Sequence, residues 1–152
     1  MENTYETLNQ LLVSLFNDIL TIEEKALMTK EFKNISITDM HIIEAIGMGE
    51  GRNMSSVAKS LEITVGTLTI AINNLVKKGY VNRTRSTKDR RVVLISLSEI
   101  GKKAYKHHAH FHKKMIEDII GLLKEDEVEV FTKSIAGING YFKNMKEKTK
   151  NK

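Results

Sequence analysis

No proline occurs anywhere in the 152 residues, and that absence does most to set what the chain can fold into. Proline removes a backbone donor and ends or kinks a helix; without it, helical patterns run unbroken. Leu8, Leu11, Leu12, Leu15, Phe16, Ile19 and Ile22 recur at three- and four-residue steps. That is the period of one helix face, and it predicts a long amphipathic helix over about 4–29. A shorter helix is expected over about 38–47, capped by Thr38, with Ile42, Ile43 and Ile46 turned inward. Gly47-Met48-Gly49-Glu50-Gly51 reads as a turn and lacks the spacing of a phosphate loop. Two further helices follow, about 55–62 and about 65–78, broken at Ile63-Thr64-Val65. The second stops at Gly79 with Lys77 and Lys78 in its last turn, as the helix dipole prefers. Tyr80–Arg85 and Val92–Leu97 are rich in β-branched residues and predict a hairpin around the polar loop 86–91. Ser98 can cap a helix of about 98–123, and a last helix spans about 126–147. The expected class is mainly α with a small β-hairpin.

Composition removes several functions. There are no cysteines, which excludes disulfides, thiolate catalysis and cysteine zinc sites. No stretch approaches the roughly 18 apolar residues of a membrane span. Met1-Glu2-Asn3-Thr4 lacks the basic and apolar regions of a signal peptide. A cytoplasmic protein with no membrane partner is expected. No nucleophile elbow, Gly-rich phosphate loop or carboxylate pair in a catalytic motif is present, so no enzyme and no required cofactor are expected.

The net charge of +5 is local. Residues 77–91 hold Lys77, Lys78, Arg83, Arg85, Lys88, Arg90 and Arg91 against one acid, Asp89. A Lys-rich tail occupies 143–152, and elsewhere acids and bases nearly balance. Two short helices joined by a tight turn form a helix-turn-helix. On the second, Leu68, Ile72, Leu75 and Val76 share one face and should pack inward. The other face carries Val65, Gly66, Thr67, Thr69, Ile70 and Asn73, small or polar and without an acid. A helix entering a major groove needs such a face. Thr64 as cap leaves backbone N–H groups for a phosphate. Asn73 has the donor and acceptor for adenine, or could hold the turn between the two helices. Lys77, Lys78, Lys88 and Arg90 are expected to neutralise phosphates. Asp89, two residues before Arg91, can fix that guanidinium for a narrow minor groove.

Asp89-Arg90-Arg91-Val92-Val93-Leu94-Ile95-Ser96-Leu97-Ser98-Glu99-Ile100-Gly101 resembles the wing signature of the MarR family, D-x-R-x-x-x-[VLI]-x-L-[ST]-x-x-G. Leu75 through Arg83 resembles the family's L-x-x-x-G-[LYW]-[VI]-x-R. The resemblance covers essentially the whole chain. It implies a single MarR-type domain over 1–152, with a winged helix-turn-helix at about 36–98 and helical dimerisation parts at 1–35 and 99–152. It also implies a homodimer on a pseudo-palindromic double-stranded DNA operator. The dimer would form through the terminal helices, at Leu8, Leu12, Leu15, Phe131, Ile135 and Phe142. By the same resemblance Arg91 is the wing arginine with Asp89 as its buttress, and Thr67 and Thr69 match a T-x-T on the recognition helix. Ile70 departs, standing where many members have arginine.

Shorter stretches resemble the FabT-type repressors of fatty-acid synthesis within that family. They include Asn17–Glu24, Phe32–Ile37, Val65–Thr69, Asn73–Leu75, Arg83–Ser86 and His112–Met115. That resemblance implies an acyl ligand, delivered on acyl carrier protein. A second constellation stands beside it. His108 and His112 are four residues apart, on one helix face. With Glu23 and His41 they resemble a site in the family's zinc-responsive repressors. A hydrogen-bonded polar network and a zinc site both remain open, and the resemblance to the family equally implies a repressor that answers to an aromatic effector.

Overall fold

A computed structural model describes residues 2–150. Six helices and three short strands follow in the order α1 (Glu2–Leu27), α2 (Ile37–Ile46), β1 (Arg52–Asn53), α3 (Met54–Leu61), α4 (Val65–Lys77), β2 (Val81–Arg85), β3 (Val93–Leu97), α5 (Glu99–Gly121) and α6 (Glu125–Lys150). The chain divides into two compact units, Met1–Phe111 and His112–Lys152. α1 and the first half of α5 group with the winged helix in the first unit. Among the described residues no helix is long and apolar enough to cross a membrane.

In the first unit, helix starts are set by side-chain caps. α2 begins at Ser36, not Thr38. The Ser36 hydroxyl accepts from the Asp39 amide at 3.1 Å, and Asp39 accepts from the Ser36 amide at 3.0 Å. This reciprocal pair satisfies two orphan donors, which a cap at Thr38 could not do. Asn53 caps α3 through the Ser56 amide at 2.7 Å, and Thr64 caps α4 through the Thr67 amide at 3.1 Å. α4 ends where Gly79 takes a φ of +87°, a conformation that glycine enters without a Cβ penalty. Ser98 caps α5, accepting from the Gly101 amide at 3.1 Å and donating to the Gly79 carbonyl at 2.5 Å.

The expected hairpin is present, but it belongs to a three-stranded antiparallel sheet in the order β1-β3-β2. β2 pairs with β3 from Val81↔Leu97 to Arg85↔Val93, and β1 adds Arg52↔Ile95 and Asn53↔Leu94. β1 was not foreseen, since two residues carry no alternation to read. Beside it Gly51 comes so close to Leu94 that an added Cβ would lie 3.4 Å from the leucine's own.

The core gathers Met40, Ile43, Val57, Leu68, Ile72, Leu75, Tyr80 and Ile95, all essentially without exposure. Burying each of these aliphatic side chains contributes about 1.5–3 kcal/mol. Val76 was expected in this layer and is 39% exposed instead, beyond the edge of the inward stripe.

In the second unit α6 has no buried residue. Phe131, Ile135, Ile138, Phe142 and Met145 follow at alternating four- and three-residue steps and are all exposed. Within the first unit α1 repeats the pattern, with Leu8, Leu12, Leu15 and Ile22 exposed.

Candidate nucleic-acid interface

The outward face of α4 follows from which residues the core takes. Leu68, Ile72 and Leu75 are buried, so Val65, Gly66, Thr67, Ile70 and Asn73 stand exposed. Ile70 is 67% exposed, an unusual position for isoleucine, and no acid lies in the helix. The threonines are partly committed. Thr64 also donates to the Thr67 hydroxyl at 2.9 Å, and half-buried Thr69 donates to the Val65 carbonyl at 2.8 Å. Asn73 does not hold the turn between the two helices. Its Oδ1 accepts from Arg83 Nη2 at 2.6 Å, linking α4 to β2.

The wing tip is a tight turn. The Ser86 amide donates to the Val92 carbonyl and the Val92 amide to the Asp89 carbonyl, each at 2.9 Å. Within it Asp89 receives three bonds from Arg91: from the backbone amide at 3.0 Å, and from Nε and Nη2 at 3.2 Å each. The side chain of Arg91 is 92% exposed, so it is oriented without being buried. Those hydrogen bonds hold the Asp89 carboxyl below the ordinary carboxylate range. Lys77, Lys88 and Arg90 are also exposed. Arg85, Ser86, Thr87 and Arg90 line an open recess of about 620 Å³.

Lys78 departs from expectation. Its Nζ lies 2.7 Å from Asp39 Oδ2, and its side chain is only 30% exposed. Asp39 therefore caps α2 and ties it to α4, and Lys78 is spent on this internal pair rather than left for a phosphate. Arg52, which the sequence did not mark out, is a second internal tie. It donates to the Ala45 carbonyl and to the hydroxyls of Ser56 (2.7 Å) and Ser60 (3.0 Å), joining the end of α2 to α3. Its contacts are to neutral groups at separations of four to eight residues, so no charge pattern could announce them.

The histidine constellation is only partly assembled as expected. His108 on α5 is 1% exposed and Glu23 on α1 is 6% exposed. His108 Nε2 lies 2.7 Å from Glu23 Oε1, and Nδ1 lies 2.6 Å from Glu44 Oε1 on α2. Glu44 was not foreseen. His41, three residues earlier, is exposed and does not join the converging acid and histidine groups found among the described residues. On α2 the inward positions go to Met40 and Ile43, which rotates His41 outward. His112 lies one turn beyond His108 on α5, at the start of the second unit. His107 Nε2 meets the Ala26 carbonyl at 2.8 Å.

The family model for transcriptional regulators SarA/Rot matches residues 20–108. Among solved structures, Streptococcus pneumoniae FabT in complex with DNA is 40% identical, covering 93% of this chain and 99% of that one at a TM-score of 0.84. The regulator SarZ of Staphylococcus saprophyticus is 35% identical over 104 residues, 67% of this chain and 70% of SarZ. A Bacillus subtilis regulator, YhjH, is 26% identical over 80 residues, and the match spans 46% of its length. The chain belongs to the MarR/SarA family of winged-helix transcriptional regulators. These MarR/SarA relatives are regulators of transcription and not enzymes. The stretch matched by the family model takes in the whole winged helix and the Glu23–His108 contact, and leaves α6 outside.

Proposed function

We propose that this chain is a sequence-specific DNA-binding repressor that works as a homodimer and controls fatty-acid-synthesis genes. The observation that carries DNA binding is an exposed, acid-free recognition face on α4 in a protein whose wing arginine is clamped by Asp89. In the dimer two such helices would enter successive major grooves, about 34 Å apart. Val65 and Ile70 would meet thymine methyl groups, and Lys77, Lys88 and Arg90 would neutralise phosphates. Acting on DNA, it would work in the cytoplasm.

The fatty-acid assignment rests on likeness to FabT along nearly the full length of both chains. An acyl group presented on acyl carrier protein is the proposed effector, and it would raise DNA affinity. Selecting duplexes from a randomised library gives the operator. Retention of that operator is then measured with palmitoyl- and unacylated acyl carrier protein. Tighter retention with the acylated form alone supports the assignment; no difference between the two sinks it.

A second reading, zinc-dependent control, is favoured by one contact, the buried meeting of Glu23 and His108. Carboxylate and imidazole suit zinc. Both ring nitrogens of His108 are already taken, however, so an ion would have to displace a carboxylate. That makes a network tying α1, α2 and α5 the better description. Metal analysis of untagged protein distinguishes them: stoichiometric zinc, lost in His108→Ala, would favour the metal.

A further inference from the structure

We infer that Arg83 is a positioning residue for base recognition. It holds the Asn73 amide with the oxygen toward β2 and the NH2 group outward, so that α4 presents a donor of fixed direction there. The inference rests on the DNA-binding reading above.

The orientation follows from chemistry. Arginine carries only donors, so the atom 2.6 Å from its Nη2 must be the acceptor of the amide. A flipped amide would set donor against donor. The base of Arg83 is equally constrained. It pairs in register with Ile95, which is fully buried, so its backbone is pinned to the core. Two other basic groups of the block have carboxylate partners, Lys78 with Asp39 and Arg91 with Asp89. Among the described residues the side-chain partner found for Arg83 is the neutral Asn73. Both residues are exposed, so the contact does not serve to fill the core.

Asn73 shares the outward stripe of α4 with Gly66 and Ile70, four- and three-residue steps apart. An asparagine reads adenine by accepting from N6 and donating to N7 with one amide edge. The guanidinium uses one lone pair of Oδ1 and fixes the direction of the amide, and the group turned outward is its NH2. A donor there suits guanine, thymine O4 or adenine N7, and disfavours cytosine, which offers only its N4 donor.

Selection from a randomised duplex library tests this with wild-type protein, Arg83→Met and Asn73→Asp, each checked for folding by thermal denaturation. Wild type should disfavour cytosine at one position per half-site. Arg83→Met frees the amide to rotate, and preference there should fall by about tenfold relative to the rest of the motif. Asn73→Asp keeps a partner for Arg83 but turns the outward group into an acceptor, and the same position should move to cytosine, whose N4 donates. An arginine that only neutralised a phosphate would weaken all sequences evenly and leave the motif intact. That result, or cytosine preferred by wild type at the position Asn73 reads, overturns the inference alone. No enrichment by wild type overturns the DNA-binding reading, and the inference with it.

Discussion

Arg91 shows how a single exposed side chain is made ready for a ligand. Two side-chain hydrogen bonds to Asp89 restrict its rotamers, a third from its backbone amide fixes Asp89 beside it, and its surface stays open. Less conformational freedom is then lost when it enters a groove. Arg91→Ala should weaken binding to the selected operator by about tenfold and relax preference at the A/T-rich flanks. Fluorescence anisotropy on matched and flank-scrambled duplexes measures both. The pH dependence has a definite sign. Because Arg91 lowers the Asp89 pKa, the clamp is complete above the ordinary carboxylate range and is lost only as pH falls through a lower value. The affinity difference between wild type and Asp89→Asn should therefore stay constant from about pH 8 to about pH 5, well above the ordinary value near 3.9. A difference that closes within that window would show the carboxylate is not what holds Arg91. The D-x-R spacing made this pair legible in the sequence, since its partners are two residues apart. Asn73 and Arg83 lie on different elements, and their contact was not legible. Glu23 was marked out beside His108, but Glu44 was not: α2 is rotated by what Met40 and Ile43 need to bury, so Glu44 rather than His41 meets His108.

At the scale of elements, caps and close approaches decide where helices start. Thr64→Ala removes the acceptor for the Thr67 amide and should destabilise the fold by about 1 kcal/mol. Chemical denaturation measures that loss, and operator affinity should fall with the fraying of the first turn of α4. Gly101 is the more sensitive position. A Cβ there would sit 2.1 Å from the Tyr80 carbonyl oxygen, the same oxygen that accepts from the Ser98 amide at 3.0 Å. Gly101→Ala must push α5 off this seat, and a loss of about 2–3 kcal/mol is expected, as for other overpacked sites. A midpoint unchanged in denaturant would contradict so tight a seat. All six helices and both strands of the hairpin were legible from apolar period and β-branched runs, because those patterns are long relative to the error. The start of α2 was not, since Ser36 and Thr38 are both competent caps and only the reciprocal bond with Asp39 decides between them.

For the whole molecule, the exposed apolar stripes matter most. Leu12 is 41% exposed on α1, and Phe142 is 49% exposed on α6. An apolar stripe of this length on a surface calls for a partner, and the proposed homodimer supplies one. Leu12→Glu and Phe142→Glu should each shift the protein toward monomer in sedimentation at micromolar concentration, with helicity kept. Operator affinity should fall with them, because two half-sites are then no longer bound as one. Steep weakening of that affinity with added salt is expected as well, reflecting phosphate contacts from the basic block. Lys78 should add nothing to that slope, since it is held by Asp39; a slope reduced in Lys78→Met would contradict this.

By itself the sequence determined a helical protein with one small sheet, the winged helix-turn-helix within it, and the wing pair Asp89–Arg91. Each rests on local information: unbroken three- and four-residue periods, turn residues, and charges two positions apart. Tertiary structure decided which of the marked residues remain open to a ligand. It withdrew Lys78 to Asp39, turned His41 outward, engaged His108 through Glu44, and set Arg83 against Asn73. The physical reason is that burial is satisfied first. Helices rotate and dock to cover Met40, Ile43, Leu68 and Ile72, and polar side chains find partners among whatever groups that docking brings within about 3 Å.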